Sequence, residues 1–179
     1  MKLYKAETNA DLEFSFPDEL QWEELDRQDA RLPMGMSFVD LIIDREKDLL
    51  LVEIKDPSNS STPDKERKKY LANKLSNNEL IKQELTPKIR DSYTYIHLME
   101  RDIKPIIYIV LLGLDAFDDS VQKGILTNFK DRLLQNICNE CEQPWKRDYV
   151  KDCVVLSVDG WNRTFKDWTI RRLSNALNP

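Results

Sequence analysis

Glycine is scarce in this chain: Gly35, Gly113, Gly124 and Gly160 are all that 179 residues contain. A glycine-rich phosphate cradle is therefore excluded, and with it a Walker-type ATPase or a dinucleotide-binding Rossmann turn. Histidine is scarcer still. His97 stands alone in a stretch of helical periodicity, where it reads as structural, and a zinc-ligating histidine cluster is ruled out. Cysteine is limited to Cys138, Cys141 and Cys153. An odd number without an export signal points to reduced thiols. Cys138 and Cys141 have the spacing of a zinc half-site, but no cysteine precedes them to complete a four-cysteine set, so they read as thiols at a helix end and Cys153 as a strand residue.

Long apolar runs are also missing. The longest, Ile106 to Leu112, is too short to span a bilayer, and Met1 to Asp11 lacks the apolar centre of a signal peptide. The expectation is a cytoplasmic protein with no membrane contact. A formal charge of -5 argues against one broad basic surface. Any grip on nucleic acid must be local or borrowed from a partner, because that affinity comes from cations displacing counterions at phosphates.

What is present is a globular composition, 41% apolar and 33% charged, at a length suited to a single domain spanning residues 1–179. Ser15 followed by Pro17, Asp18 and Glu19 predicts a helix from about Pro17 to Gln28. Met36 to Asp44 and Leu49 to Lys55 read as two strands of a hairpin around the charged turn Arg45 to Asp48. Asp56 to Pro63 is a loop by composition, followed by a solvated helical stretch. Thr86-Pro87 predicts a fresh helix start, and Ile103 to Leu112 a strand buried on both faces. A helix from about Ser120 to Ile137, a strand around Cys153 to Val158, an Asp159-Gly160 turn and a helix near Lys166 to Leu177 complete an α/β layered domain with a mixed sheet.

The hairpin carries the chemistry. With Asp44 opposite Leu49, Asp40 falls opposite Glu53, and directly opposed residues project from one face with Cβ atoms roughly 4.5 to 5.5 Å apart. Both carboxylates can then reach one hard cation, and Lys55 projects from the same face as Glu53. A register slipped by one would send Asp40 to the other side of the sheet. Mg²⁺ commonly binds through one or two carboxylates, and a nearby ammonium can orient an attacking water or offset charge on phosphorus, so two acids and a lysine suffice for phosphodiester hydrolysis. The pattern acid-x-Lys recurs at Glu66-Arg67-Lys68 and Asp102-Ile103-Lys104, but only Glu53-Ile54-Lys55 ends an apolar strand with an acid at the matching place on its partner. The competing reading is an ordinary ion-pair cluster on a half-exposed hairpin.

Val39-Asp40-Leu41-Ile42-Ile43, twelve intervening residues, and Val52-Glu53-Ile54-Lys55 resemble the PD-(D/E)XK nuclease superfamily over roughly residues 17 to 115. The leading proline of that motif is absent before Asp40. The resemblance implies a restriction-endonuclease-like core (αβββαβ) with a mixed central sheet flanked by helices. It implies Asp40 and Glu53 as ligands of Mg²⁺ or Mn²⁺, the Ile54 carbonyl as a third, and Lys55 as the catalytic lysine. It also asks for an acid on the first helix, where Glu24 or Glu23 is nearest, and for a strand before Asp40, sought at Arg31 to Gly35 or earlier. The implied activity is hydrolysis of DNA, ahead of RNA, by activated water. The alternative is a catalytically silent nuclease-like module that binds DNA or protein within a larger complex; a purely structural domain is a third.

Further candidates are weaker. Lys88 shares a helical face with Ser92 and reads either as a phosphate contact supporting Lys55 or as a solvated lysine. Lys65, Arg67, Lys68, Lys69 and Lys74 form the main basic cluster, either tracking phosphates or lining a solvated face. Trp161, Arg163, Phe165, Lys166, Trp168, Arg171 and Arg172 interleave aromatic and basic residues as single-strand stacking surfaces do, although a core role for the aromatics is the favoured reading. The acidic balance makes a homodimer, or a partner protein supplying DNA affinity, part of the expectation.

Overall fold

The computed structural model describes residues 1–6, 10–27 and 33–174. In chain order its elements are strands β1 (Lys2–Lys5), β2 (Leu12–Phe16), β3 (Gln21–Glu24), β4 (Leu41–Asp44) and β5 (Leu49–Lys55), then helices α1 (Asp64–Tyr70) and α2 (Thr86–Leu98). Strand β6 (Ile106–Leu112), helix α3 (Asp119–Cys138), strand β7 (Asp152–Ser157), helix α4 (Val158–Thr164) and strand β8 (Thr169–Arg172) follow. Wide π-helical turns extend α1 over Leu71–Leu75 and lead into α2 over Ile81–Leu85. Such turns shift the helix face by one residue and often stand beside functional sites.

Five strands form a mixed sheet in the order β3-β4-β5-β6-β7, antiparallel from β3 to β5 and parallel from β5 to β7. Strands β1, β2 and β8 form a separate antiparallel sheet in the order β1-β2-β8. The side-chain period of two divides the large sheet between two cores. Ile42, Leu51, Tyr108 and Val110 face the helices and pack with Ile89, Ile96, Phe129 and Leu133. Leu41, Ile43, Leu50, Val52, Ile109 and Leu111 face the smaller sheet and pack with Phe14, Phe16, Trp161 and Ile170. The result is three layers: helices, the five-stranded sheet, and the small sheet with α4. Burial on both faces is why β5 and β6 read as near-continuous apolar runs.

Three sequence expectations are corrected. The predicted helix Pro17–Gln28 is a turn followed by strand β3, with Gln28 outside the described residues; Leu20 N–H donates to the Pro17 carbonyl, and Gln21–Glu24 pair with Leu41–Asp44. Trp22 then packs on Tyr4 and Phe16, with ring centroids 5.5 and 5.0 Å away. The strand sought before Asp40, at Arg31–Gly35 or earlier, is the earlier segment β3; Pro33–Gly35 is a turn with Gly35 at φ +84°, a conformation suited to glycine, and Arg31 and Leu32 lie outside the described residues. The final helix near Lys166–Leu177 is replaced by β8, with residues 175–177 outside the described set, and the Asp159-Gly160 turn is instead the first turn of α4, capped by the Ser157 hydroxyl accepting from Gly160 N–H. Flanking helices therefore cover one face of the large sheet, while the other is covered mainly by the small sheet.

The aromatics of the last segment pack on the core, as favoured: Trp161 is fully buried, and half-buried Phe165 and Trp168 stack at 4.8 Å against the same cluster. Cys138 and Cys141 are exposed and Cys153 is buried on β7, all as free thiols. His97 lies exposed toward the end of α2 and contacts Asp102. Among the described residues, no helix is long and apolar enough to cross a membrane.

Candidate metal and phosphodiester site

The hairpin has the predicted register. Leu41 opposes Val52, Ile42 opposes Leu51 and Asp44 opposes Leu49, so Asp40, one residue before β4, falls opposite Glu53. Both belong to the helix-facing side of the sheet, along with Ile42 and Leu51. Asp40 is fixed by its own segment. Ser37 N–H donates to Asp91 and Val39 N–H to the Ser92 hydroxyl, each at 3.0 Å, which docks residues 37–39 onto α2. Ser92 in turn donates to the Lys88 carbonyl at 2.7 Å. On the other edge, Leu25 N–H donates to the Asp40 carbonyl at 2.9 Å.

Backbone alternation along β5 completes the arrangement. Leu49 N–H donates to Pro105 and the Lys55 carbonyl accepts from Gly113, so odd-numbered residues of β5 bond toward β6 and even-numbered ones toward β4. Ile54 accordingly presents its backbone to the Asp40 side, where its N–H donates to Asp40 Oδ2 at 2.5 Å.

Glu53 is completely buried. Its Oε1 lies 3.0 Å from Lys88 Nζ and 3.2 Å from Lys55 Nζ, while Oε2 has no hydrogen-bond partner. Lys55 is held on its far side by Glu84 at 2.8 Å, and Glu84 also pairs with Lys74 at 3.1 Å. Lys88 further reaches Asp26 at 3.2 Å and Asp40 at 3.9 Å. Asp40, Glu53, Lys55, Glu84 and Lys88 line a cavity of about 420 Å³ whose walls include Ala6, Ala10, Pro57 and Tyr70.

Burial and the adjacent Glu53 charge push the Asp40 carboxyl up to about 8, against the pull of Lys88. Burial likewise raises Glu53 despite both lysines. Burial alone would lower Lys55 and Lys88, but Glu53 and its neighbouring acids outweigh it and hold both ammoniums charged. Glu84 is pushed up by burial, yet the salt bridges to Lys55 and Lys74 leave it below the usual range. Asp40 thus retains near neutral pH a proton that a cation would displace.

The chemistry of the donor set suits a small hard cation: two carboxylates and a backbone oxygen, with Glu53 Oε2 a buried acceptor lacking a donor. Among the described residues no three acids, histidines or cysteines gather as a metal-holding group, so the protein would supply two side chains and solvent the rest.

Of the sequence-derived candidates, the structure brings together Asp40, Glu53, Ile54, Lys55 and Lys88. Glu24 opposes Leu41 on β3 and so belongs to the other face of the sheet. Glu23 is on the helix-facing side but pairs with Arg101. Lys65, Lys68 and Lys69 are exposed on α1, and Arg67 is engaged by Asp64 and the Asn59 carbonyl. Only Glu66 and Tyr70 of that helix line the cavity. Asp26, Tyr70 and Glu84 escaped the sequence reading; the one available signal was the spacing of Glu84 four residues before Lys88, which on a regular helix shares a face. Compared with known proteins, the chain matches no family model, no curated protein and no solved structure.

Proposed function

We propose that this protein is a Mg²⁺- or Mn²⁺-dependent nuclease that hydrolyses phosphodiester bonds in DNA, ahead of RNA, on a restriction-endonuclease-like core. The observation that carries the reading is the opposition of Asp40 to the fully buried Glu53, with Lys55 two residues further along the same face. The meander β3-β4-β5, the helix α2 and the parallel strand β6 support the finer fold assignment; a first helix is missing among the described residues, and β1 and β2 precede the meander instead.

Asp40, Glu53 and the Ile54 carbonyl would hold the ion. When bound, it supplies a positive centre for a phosphoryl oxygen and acidifies the attacking water. Lys55, clamped between Glu53 and Glu84, directs a permanent positive charge into the cavity, where it orients that water and offsets charge gathering on phosphorus. Affinity for the nucleic-acid backbone comes from local cations such as exposed Lys65, Lys68 and Lys69, or from a second copy or partner protein, since the chain as a whole is acidic.

A second reading, a catalytically silent nuclease-like module within a larger complex, is favoured by one observation: two lysines already neutralise Glu53 without a metal. Hydrolysis of single- and double-stranded DNA with Mg²⁺ or Mn²⁺ separates the two. Cleavage by the wild type that Lys55→Ala abolishes supports the nuclease, cleavage indifferent to Lys55 sinks its mechanism, and metal binding without cleavage selects the module.

A further inference from the structure

Lys88 stands where three carboxylates converge. Its Nζ lies 3.0 Å from Glu53 Oε1, 3.2 Å from Asp26 Oδ2 and 3.9 Å from Asp40 Oδ1. The side chain is largely buried, and its carbonyl is tied by Ser92, so the stem enters the site from a fixed point on α2. A divalent ion shared by Asp40 and Glu53 would take the unpartnered Glu53 Oε2 and the Asp40 Oδ1 toward which this ammonium turns, and so would stand beside the Lys88 charge. Two cations sharing the same two carboxylates at such distances repel each other strongly.

That repulsion acts on both lysines beside Glu53, and the less firmly held one is placed to give way. Lys55 is anchored at 2.8 Å to Glu84, which is itself braced by Lys74. Lys88 has a different retreat: Asp26, already within 3.2 Å, sits nearer the surface than Glu53, and the flexible four-carbon lysine stem permits the swing.

We propose that Lys88 is a built-in cation that occupies the Asp40–Glu53 pair in the metal-free protein and yields to Mg²⁺ by withdrawing onto Asp26. This inference rests on the metal-dependent reading of the site. An ammonium tethered beside the acids competes at high effective concentration, so it sets a threshold below which the site stays self-neutralised. Asp26 acts as the berth for the displaced charge and positions Lys88 without holding the metal itself.

The test is calorimetric titration of Mg²⁺ into the full chain at about pH 8.5, above the Asp40 titration. Wild type, Lys88→Met, Asp26→Asn and the double variant are compared. Lys88→Met is expected to bind about tenfold more tightly than wild type, because the competing charge is gone. Asp26→Asn is expected to bind about fivefold more weakly in the wild-type background and to have no effect in the Lys88→Met background. Lys88→Gln, whose polar tip is gentler on the buried acids, should give the same order if Lys88→Met folds poorly. Equal affinity of wild type and both Lys88 variants would overturn the inference and leave the metal centre standing. Binding by none of the proteins would remove the metal centre itself. Equal weakening by Asp26→Asn in both backgrounds would make Asp26 a ligand and overturn the withdrawal.

Discussion

Asp40 and Ile54 are joined across the hairpin by a 2.5 Å hydrogen bond from backbone N–H to carboxylate. Backbone thereby occupies Asp40 Oδ2, while Oδ1 turns toward Lys88. Asp40→Asn keeps an acceptor for Ile54 and removes the charge that repels Glu53. At about pH 9 and without metal, this variant is expected to melt a few degrees higher, for a gain of about 1 kcal/mol, and to show no heat of Mg²⁺ binding. Asp40→Ala strands the Ile54 N–H and should lose about 1–3 kcal/mol. Thermal melts paired with calorimetry check both.

The same carboxyl makes stability depend on pH in an unusual direction. Asp40 titrates at about 8 in the folded protein but near 3.9 when unfolded, so between those values the folded state keeps a proton that the unfolded chain has released. Its contribution is whole below about pH 4 and is lost as pH rises through about 8. Glu53, also raised, works in the same direction. Lys55 and Lys88, raised from an already high value, contribute stability that is present throughout this interval and lost only in strong alkali. The metal-free melting temperature is expected to fall between about pH 6 and 9, and Mg²⁺ should flatten that fall while its own affinity climbs to a plateau above about pH 8. A melting temperature that rises across this range would contradict the burial of the pair.

Lys55 and Glu84 separate binding from chemistry. Lys55→Met should retain Mg²⁺ binding and lose DNA hydrolysis by a factor of about 100 or more. Glu84→Gln leaves Lys55 charged by Glu53 but releases its far anchor, so a smaller loss of about tenfold is expected, carried by the turnover rate rather than by Mg²⁺ affinity. Single-turnover cleavage at saturating metal measures the difference.

Arg172 is a structural counterpart to these charges. Its Nη1 and Nη2 donate to Asp56 at 2.9 and 3.1 Å, and Nη2 also reaches Asp115. The Asp56 side chain is completely buried, directly after Lys55. Arg172→Met leaves that carboxylate without its main partner and should cost about 3–5 kcal/mol, or roughly 10 °C in melting temperature. Gly113 belongs to the same packing: a Cβ there would lie 2.1 Å from Asp56 Oδ1. Gly113→Ala is therefore expected to destabilise as well, and less than additively with Arg172→Met, by denaturant titration of the single and double variants.

The elements legible in sequence are those whose partners are near in the chain. The charged turn Arg45–Asp48 fixed the hairpin register, and Arg45 pairs with Asp48 there as a local closure. Helices α2 and α3 followed their apolar spacing. Strand β3 misled because Ser15, Pro17, Asp18 and Glu19 are good helix-start chemistry, whereas the actual conformation is set by pairing with β4 and by Trp22 entering an aromatic cluster. Strand β8 misled for a similar reason: Thr169–Arg172 pair with residues 12–15, a partnership no local window contains. In the site, Asp40, Glu53 and Lys55 were legible because strand alternation is a strict period. Asp26 was not, since it follows a strand read as helix, and neither was the role of Glu84, which enters through a π-helical turn that shifts the face by one residue.

The pairing of β8 with β2 also orders events in time. Contacts between residues so far apart form slowly, whereas the β4–β5 hairpin and the β5-α2-β6 unit need only nearby chain. During synthesis the acid pair can meet while Thr169–Arg172 are still within the ribosome. Asp56, by contrast, waits for Arg172, and through the Asp11 N–H that donates to Asp56 at 2.9 Å, so does the bracing of the Ala10 wall. The floor of the cavity is laid before its rim, which leaves the nascent chain with an open, unfinished site until β8 is in place.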